Sequence, residues 1–586
     1  MPPPRLDPPL AVLIAATLLV AAALALRLAA LGWDELAGLH PDERHMIFVG
    51  HDMLERWRAA EGVGLRTLWF APDSPLNPRL EGRSYVYGEF PLLAMVLAAA
   101  ATGTEGWFEA MGLGRHLTAL VDASTVLAVF LLGWTLARRA GPALLAAGLY
   151  ALAPTALQLA VFFTVDAWLV AAMSWSVLGM VALANGRGAG VAAGAGLAAG
   201  LALACKITAG VLLLPALLAL WASGRRAGAW TAVRAALAGL AAAAVSFRLA
   251  NPFAFAGPGP FGLAPSPQFR ADLADLVTVS TSPGFPPNWQ WMAGYPLPAL
   301  MRDMVLFGSG PALTLAALAG LGLLAWRWRA VSPGLGVVLA ALAGVAISLP
   351  LMGHAIALRY LAPALPLLAV VAAVGLAGIA VPLWRGAALA LTALALWWGA
   401  GTAQTLMAEH PRLAASRWLW QQPAGTTIAN ETAWDEGLPV ITRLPGEAER
   451  RWPGHDGHFR FLSLDITDPD SPDKAARLAR LLDETDLLAI SSGRQRDVMP
   501  RLPARFPMTT VYYRLLAAGA LCFERVWSGG GRFLLPGWPL ADGHVQEPWH
   551  VYTHPRVEIF RRMDCHDPAR TEALLRDALP EGFVPP

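Results

Sequence analysis

Apolar runs separated by short polar punctuation dominate the chain from residue 10 to about 403. They fall at 10–30, 118–137, 142–162, 166–184, 188–205, 207–222, 231–249, 303–325, 333–351, 360–381 and 386–403. A helix crosses the roughly 30 Å hydrocarbon core with ~20 apolar residues, so the pattern predicts about eleven membrane-spanning helices. Many of the runs are rich in Ala, Gly and Leu, a composition that lets helices approach closely in lipid. The run Phe90–Ala101 is shorter, bounded by Glu89 and by Gly103 with Glu105, and predicts an interfacial or re-entrant helix rather than a span.

The arginines of the short loops set the orientation. Arg138, Arg139, Arg187, Arg225, Arg226, Arg327, Arg329 and Arg385 all fall on one side of these spans, together with Arg5. The positive-inside rule makes that side cytoplasmic. The opposite side then receives the 32–117 loop, the turn near Asp166, the 250–302 loop, the turn near Arg359 and everything after about 404. Counting Phe90–Ala101 as a span would put the arginine pairs outside, which is a further reason to leave it out.

From about 404 the pattern changes: apolar runs shorten, and charge and proline rise. Pro439–Thr442, Phe459–Ile466, Leu487–Ile490 and Val557–Phe560 read as strands, and Lys474–Glu484 has helical periodicity. The expectation is a transmembrane domain over 1–403 followed by a soluble α/β domain over 404–586. The second domain carries a docking or folding role in the simplest reading.

Composition supports this division. Of 586 residues 56% are hydrophobic and 15% charged, against about 25% charged in soluble domains. The net charge is +2, from 44 basic and 42 acidic residues, which gives no basic surplus for a nucleic-acid partner. Of three cysteines, Cys205 lies in an apolar run while Cys522 and Cys565 share the tail, so a disulfide between those two is an open alternative.

The unusual polar chemistry lies on the outer side. The first loop opens with Trp33, Asp34 and Glu35, then His40, Pro41, Asp42, Glu43, Arg44 and His45, then His51 and Asp52. Pro41 suits a helix N1 position, which puts Asp42 and Glu43 in a first turn where the helix dipole favours carboxylates. Plain capping accounts for such residues equally well, but beside an anchor helix they also suit general-base work on an acceptor hydroxyl. A divalent metal held by His40, Asp42, His45 and His51 is a third reading, although their spacing matches no specific metal motif. Asp166 sits at an outer turn. Lys206, between Cys205 and Ile207 at the outer end of a span, is costly unless it snorkels or pairs with an anion. Arg359, also at an outer helix end, can grip phosphate with two N–H groups or serve as an interfacial anchor.

In order along the chain, His40-Pro41-Asp42-Glu43, Tyr85-Val86-Tyr87-Gly88-Glu89-Phe90-Pro91-Leu92, Val165-Asp166-Ala167, Cys205-Lys206-Ile207-Thr208 and Arg359-Tyr360-Leu361-Ala362-Pro363 resemble the GT-C membrane glycosyltransferases. The likeness is to the protein O-mannosyltransferase and aminoarabinose transferase group, and it covers most of residues 10–400. It implies an α-helical polytopic fold with a large first periplasmic loop, and an inner-membrane location with a cytoplasmic N-terminus. It also implies a sugar donor carried on polyprenyl phosphate, and an acceptor that is a lipid, a glycan or a protein. Asp42 and Glu43 correspond to the active-site pair, with Asp42 as base. Lys206 and Arg359 correspond to contacts with the carrier phosphate, and His40, Asp166 and Tyr360 fall with them in the matching motifs. Where the aminoarabinose transferases carry Lys-Pro, this chain has Glu89-Phe90-Pro91, so the lysine's role does not transfer. Glu89 then binds sugar hydroxyls or marks the interface. The tail is similar to a C-terminal region of some bacterial relatives through Asn430–Pro439, Arg505–Arg514 and His554–Phe560.

The implied reaction is displacement at the anomeric carbon with inversion and without a nucleotide. The glycines lie mainly in apolar runs, away from any strand-to-helix phosphate motif. Two rivals remain: a transporter or flippase for a lipid-linked substrate, and a non-catalytic scaffold. A transporter would place ionisable groups near the midplane and show related halves, whereas the charges here crowd the outer helix ends.

Overall fold

The computed structural model describes residues 8–60, 62–257, 259–292, 294–349, 357–431, 437–440 and 457–584. They form two compact units. The first takes in the chain up to Leu31, His40–Val279 and Arg302–Ala403. The second takes in Gly32–Leu39, Ser280–Met301 and the chain from Gln404 onward, so short pieces of both large loops cluster with the tail.

The principal helices of the first unit are α1 (Leu10–Ala29), α2 (Pro41–Ala59), α3 (Phe90–Thr102), α4 (Trp107–Ala137), α5 (Ala140–Ala151), α6 (Val165–Ala184), α7 (Ala189–Leu203), α8 (Leu213–Ala227), α9 (Ala229–Ala250), α10 (Gly310–Trp326), α11 (Pro333–Ser348), α12 (Ala364–Leu376) and α13 (Val381–Met407). Each run expected to span carries a helix. By length and apolarity, however, six of the described helices suffice to cross a membrane: α1, α4, α6, α8 with the turn before it, α9 and α13. α10 makes a seventh if the bent segment before it is counted, while α3, α5, α7, α11 and α12 hold 10–17 residues. Proline causes part of the shortening. The 142–162 run stops at Ala151, and Pro154, which lacks an N–H, opens the separate short helix Pro154–Leu159. The 360–381 run starts as a 3₁₀ turn over Leu358–Leu361, and α12 begins only after Pro363. α3, at 13 residues, is about 20 Å long, less than the hydrocarbon thickness. Arg5 of the orientation argument lies outside the described residues.

Small residues bring the helices together. A Cβ on Gly196 of α7 would lie 2.0 Å from the carbonyl oxygen of Gly239 in α9, and one on Gly375 of α12 would lie 2.4 Å from that of Gly320 in α10. Backbones packed this closely gain dispersion contact that lipid cannot supply. A buried charge joins three further helices. Arg27 of α1 donates Nε to Asp122 of α4 at 2.6 Å and Nη1 to the Ala151 carbonyl of α5 at 3.3 Å, and the Tyr150 hydroxyl donates to Asp122 at 2.6 Å. The two large loops are tied by Arg79, which donates to Glu89, to Asp272 at 2.7 Å and to the Tyr85 carbonyl at 2.7 Å.

The second unit is a small α/β layer. Strands β1 (Thr427–Asn430), β2 (Arg460–Ser463), β3 (Leu487–Ile490), β4 (Phe523–Gly529), β5 (Arg532–Phe533), β6 (Leu540–Ala541) and β7 (Val557–Arg562) form a five-stranded sheet in the order β2-β1-β3-β7-β4 and a ribbon of β5 with β6. β1 pairs in parallel with β2 and β3, while β7 is antiparallel to β3 and β4. The helix Pro472–Asp483 connects β2 to β3 and buries Ala475, Leu478, Ala479 and Leu482. Its start is fixed by Ser471, whose side chain accepts from the Lys474 N–H at 3.1 Å. Strands fall within three of the four runs read as such. Pro439 and Val440 take no strand, and Ile441 and Thr442 lie outside the described residues. Cys522 and Cys565 form a disulfide between the start of β4 and the turn after β7, which settles the alternative the sequence left open.

Two expectations follow for this unit. Burial pushes the Glu431 carboxyl from an ordinary 4.5 up to about 7, although the hydroxyls of Tyr513 and Tyr512 donate to it at 2.8 and 3.1 Å. A raised folded pKa stabilises the fold below the unfolded value, and that contribution is lost as pH rises through the folded one. The unfolding free energy of the second unit should therefore fall between about pH 4.5 and pH 8, by on the order of 3 kcal/mol. Glu431→Gln should flatten that slope, and an unaltered slope would clear Glu431 of causing it. Separately, the denatured but unreduced protein should titrate as a single thiol, Cys205, whereas three reactive thiols would rule out the pairing.

Candidate active site

The His40–Glu43 segment builds the start of α2. His40 is the N-cap, its Nδ1 accepting from the Glu43 N–H at 3.3 Å, and Pro41 occupies the first helical position, as the sequence predicts. Adjacent residues on a helix point about 100° apart. The two carboxylates accordingly part company. Glu43 turns inward and is wholly buried: Arg115 of α4 donates Nε at 2.8 Å and Nη2 at 2.6 Å to its two oxygens, and the Phe163 N–H donates at 2.8 Å. Asp42 turns the other way and is half-buried, accepting from Arg359 Nη1 at 2.6 Å. Burial alone would raise the Asp42 carboxyl, but the charges of the nearby Arg359 and His40 and the hydrogen bond from Arg359 outweigh it and hold Asp42 well below the usual carboxylate range.

Beside this pair lies a small cleft. Its polar groups are Asp166, Lys206, Thr208, Ser348, Arg359 and Tyr360, and its apolar walls include Leu169, Met173, Val211, Val345 and Pro363. Asp166 stands in the first turn of α6, where Thr164 is the N-cap, and it pairs with Lys206 at 3.2 Å. Lys206 ends the turn after α7, with its Nζ 4.8 Å from the centre of the Tyr360 ring. The Arg359 guanidinium lies 5.6 Å from the same ring. Two cations thus flank one tyrosine, each held by one aspartate.

The remaining expected site residues lie elsewhere. Glu89 does not line the cleft: it is wholly buried, paired with Arg79 and accepting from the Phe253 N–H at 2.9 Å, so its carboxylate is closed to sugar hydroxyls. His40 caps α2 and packs on Phe162 at 4.5 Å between ring centres. Among the four metal candidates, His45 faces Tyr85 and Tyr87, and His51 approaches the Glu105 carbonyl at 3.0 Å. Among the described residues no three His, Cys, Asp or Glu side chains gather at ligand spacing.

Gly88 is the addition that the structure makes. The Gly88 N–H donates to the Cys205 carbonyl at 3.0 Å and the Phe90 N–H to the Ala204 carbonyl at 3.1 Å, stitching the loop to the segment that carries Lys206. A Cβ on Gly88 would lie 2.0 Å from the Ala204 oxygen, so the approach requires glycine. The aromatic-Gly dipeptide was visible in the sequence, but nothing there said which chain it would touch.

A family profile for dolichyl-phosphate-mannose-protein mannosyltransferase matches residues 113–250. An archaeal oligosaccharyltransferase, AglB from Archaeoglobus fulgidus in complex with an inhibitory peptide and a dolichol-phosphate, shares the fold at TM-score 0.51 and 13% identity, over 87% of this chain and 72% of that one. ArnT from Cupriavidus metallidurans in the apo state aligns at TM-score 0.42 and 14% identity, over 93% of this chain and 97% of that one. No curated protein matches the chain. The family match covers less than a quarter of the chain, and the likeness to AglB is one of fold.

The two neighbouring carboxylates should differ sharply on substitution. Glu43→Gln leaves the Arg115 charge buried without its counter-charge and should cost about 3 kcal/mol or more, whereas Asp42→Asn, at a partly exposed pair, should cost clearly less, about 1 to 2 kcal/mol. Thermal unfolding followed by tryptophan fluorescence reads both, and equal losses would contradict the assignment.

Proposed function

We propose that this membrane protein is a GT-C glycosyltransferase, which transfers a sugar from a polyprenyl-phosphate carrier to a hydroxyl of an acceptor on the outer side of the membrane. The observation that carries the proposal is the contact between Arg359 and Asp42, because it sets a phosphate-binding cation directly against a carboxylate suited to deprotonate the acceptor. The cleft fits the donor's chemistry: Lys206 and Arg359 offer positive charge to the phosphate, and Leu169, Met173, Val211 and Val345 offer apolar wall to the lipid beside it. That arrangement favours a lipid phosphate over a nucleotide sugar.

The reaction is a single displacement. Asp42 takes the proton of the acceptor hydroxyl as its oxygen bonds to the anomeric carbon; the bond from that carbon to the phosphate oxygen breaks on the opposite face. The electron pair leaves with the polyprenyl phosphate, and configuration inverts. Lys206 and Arg359 stabilise the charge that grows on the leaving phosphate. Tyr360 holds both cations near one point, and Asp166 fixes Lys206. Glu43 takes a positioning role: clamped by Arg115, it fixes the turn from which Asp42 projects. An inner membrane with a cytoplasmic N-terminus and an exterior tail accords with the arginine sidedness and with the tail disulfide, a bond that persists in oxidising compartments.

Purified protein in lipid, given a set of radiolabelled polyprenyl-phosphate sugars and a membrane extract as acceptor, should transfer label. Asp42→Asn should reduce the rate by about a hundredfold or more. Equal transfer by both proteins would remove Asp42 from the mechanism, and absence of transfer from every donor by folded wild type would return the weight to a transporter or a scaffold.

A further inference from the structure

The strap Gly32–Leu39 directly precedes His40, the N-cap of α2, and one side chain holds the chain on both sides of it. Arg115 donates Nη1 to the Leu31 carbonyl at 2.9 Å, just before the strap, and clamps Glu43, just after it, through Nε and Nη2. The strap itself clusters with the second unit. Trp33 is buried there against His410, with ring centres 5.6 Å apart, and Glu35 pairs with Arg417, which also pairs with Glu409. His410 is a fixed anchor. Its Nδ1 accepts from the Arg412 N–H at 3.1 Å, capping the helix Pro411–Leu419, and its Nε2 meets the Tyr552 carbonyl at 2.8 Å.

The strap's backbone is not relaxed. Glu35 and Leu36 take φ of 52° and 62°, left-handed values that cost energy for a residue with a Cβ. Asp34, wholly buried, imposes this shape by accepting from the Leu36 and Leu39 N–H groups, each at 3.0 Å. Strain of this kind persists only where the surroundings over-determine it, and it gathers at working sites. Leu39 is itself buried and is the last residue before the cap, so little slack separates the strap from the turn that carries Asp42.

We propose that Trp33 is a positioning residue for the reaction: anchored on His410, it keeps the strap taut, and the strap holds the His40–Glu43 turn so that Asp42 stays aimed. Arg115 fixes where that turn begins, and the strap decides how firmly it stays formed. The second unit thereby takes part in catalysis rather than serving for docking alone. The inference rests on the reading of Asp42 as the base.

Amide hydrogen exchange on the whole chain in lipid nanodiscs reads this coupling without a donor sugar. The probe is the first turns of α2, residues 44–48, beginning with the Arg44 N–H that donates to the His40 carbonyl at 2.9 Å. Trp33→Ala should speed exchange there by about tenfold, and Trp33→Phe, which keeps a ring against His410, should recover most of the protection. Leu36→Gly should keep the protein folded, since glycine takes positive φ without strain, yet speed the same exchange by about threefold or more. Wild-type exchange over 44–48 in Leu36→Gly or in folded Trp33→Ala overturns the inference. In the transfer assay, both variants should lower the rate at saturating donor by about tenfold while binding of undecaprenyl monophosphate weakens by less than about twofold. Misfolding would lower rate and binding together, and an unaltered rate beside faster exchange also overturns the positioning role. Failure of wild type to transfer any label strikes instead the reading of Asp42 as the base, and the exchange still decides whether the strap governs the turn.

Discussion

The buried pair of Glu43 and Arg115 is the constraint on which the site depends. Two parallel hydrogen bonds remove all rotational freedom from the carboxylate, and Arg115 also donates to the Leu31 carbonyl at 2.9 Å, just after α1. Glu43 in turn accepts from the Phe163 N–H, at the turn that leads into α6. One ion pair therefore sets the first turn of α2 against α4, the end of α1 and the entrance to α6 together. Since Asp42 precedes Glu43 on the same helical turn, fixing one carboxylate aims the other. A charge pair taken fully out of water gives little net stability but permits only one arrangement, which is the property a reacting group needs from its support.

This explains how much of the site could be read beforehand. Helix-start chemistry is local, so His40 as cap, Pro41 at the first position and both carboxylates in the first turn follow from spacing alone. The division of labour between Asp42 and Glu43 is not local. It depends on Arg115, 72 positions away, and on Arg359, 317 positions away. Lys206 and Arg359 were legible because a cation at an apolar helix end demands an explanation. Glu89 misled because its partner Arg79 lies in an irregular loop segment where no periodicity announces a contact.

The fold was readable to a similar depth. Hydropathy located every apolar helix in the first unit but overstated several lengths, because apolar content continues through proline breaks and 3₁₀ turns that end regular helix at Ala151 and delay α12 to Ala364. In the tail, β3, wholly apolar, stood out, as did the Val557, Ile559 and Phe560 of β7, whereas β1, which begins with Thr427 and ends in Asn430, did not. Its place at the centre of the parallel strands comes from pairing with residues 460–463 and 487–490, which no local window contains.

The stitch at Gly88 has a consequence for how such a protein can change over generations. Both of its hydrogen bonds run between main-chain atoms, and apart from the missing Cβ of Gly88 they ask nothing of the side chains at 88, 90, 204 and 205. The register between the first loop and the lysine-bearing segment is thus written in the backbone. Neighbouring side chains are free to drift toward other sugars or acceptors while the distance between the two halves of the reaction centre stays the same. A glycine with no chemistry of its own thus keeps the spacing on which the reactive residues around it rely.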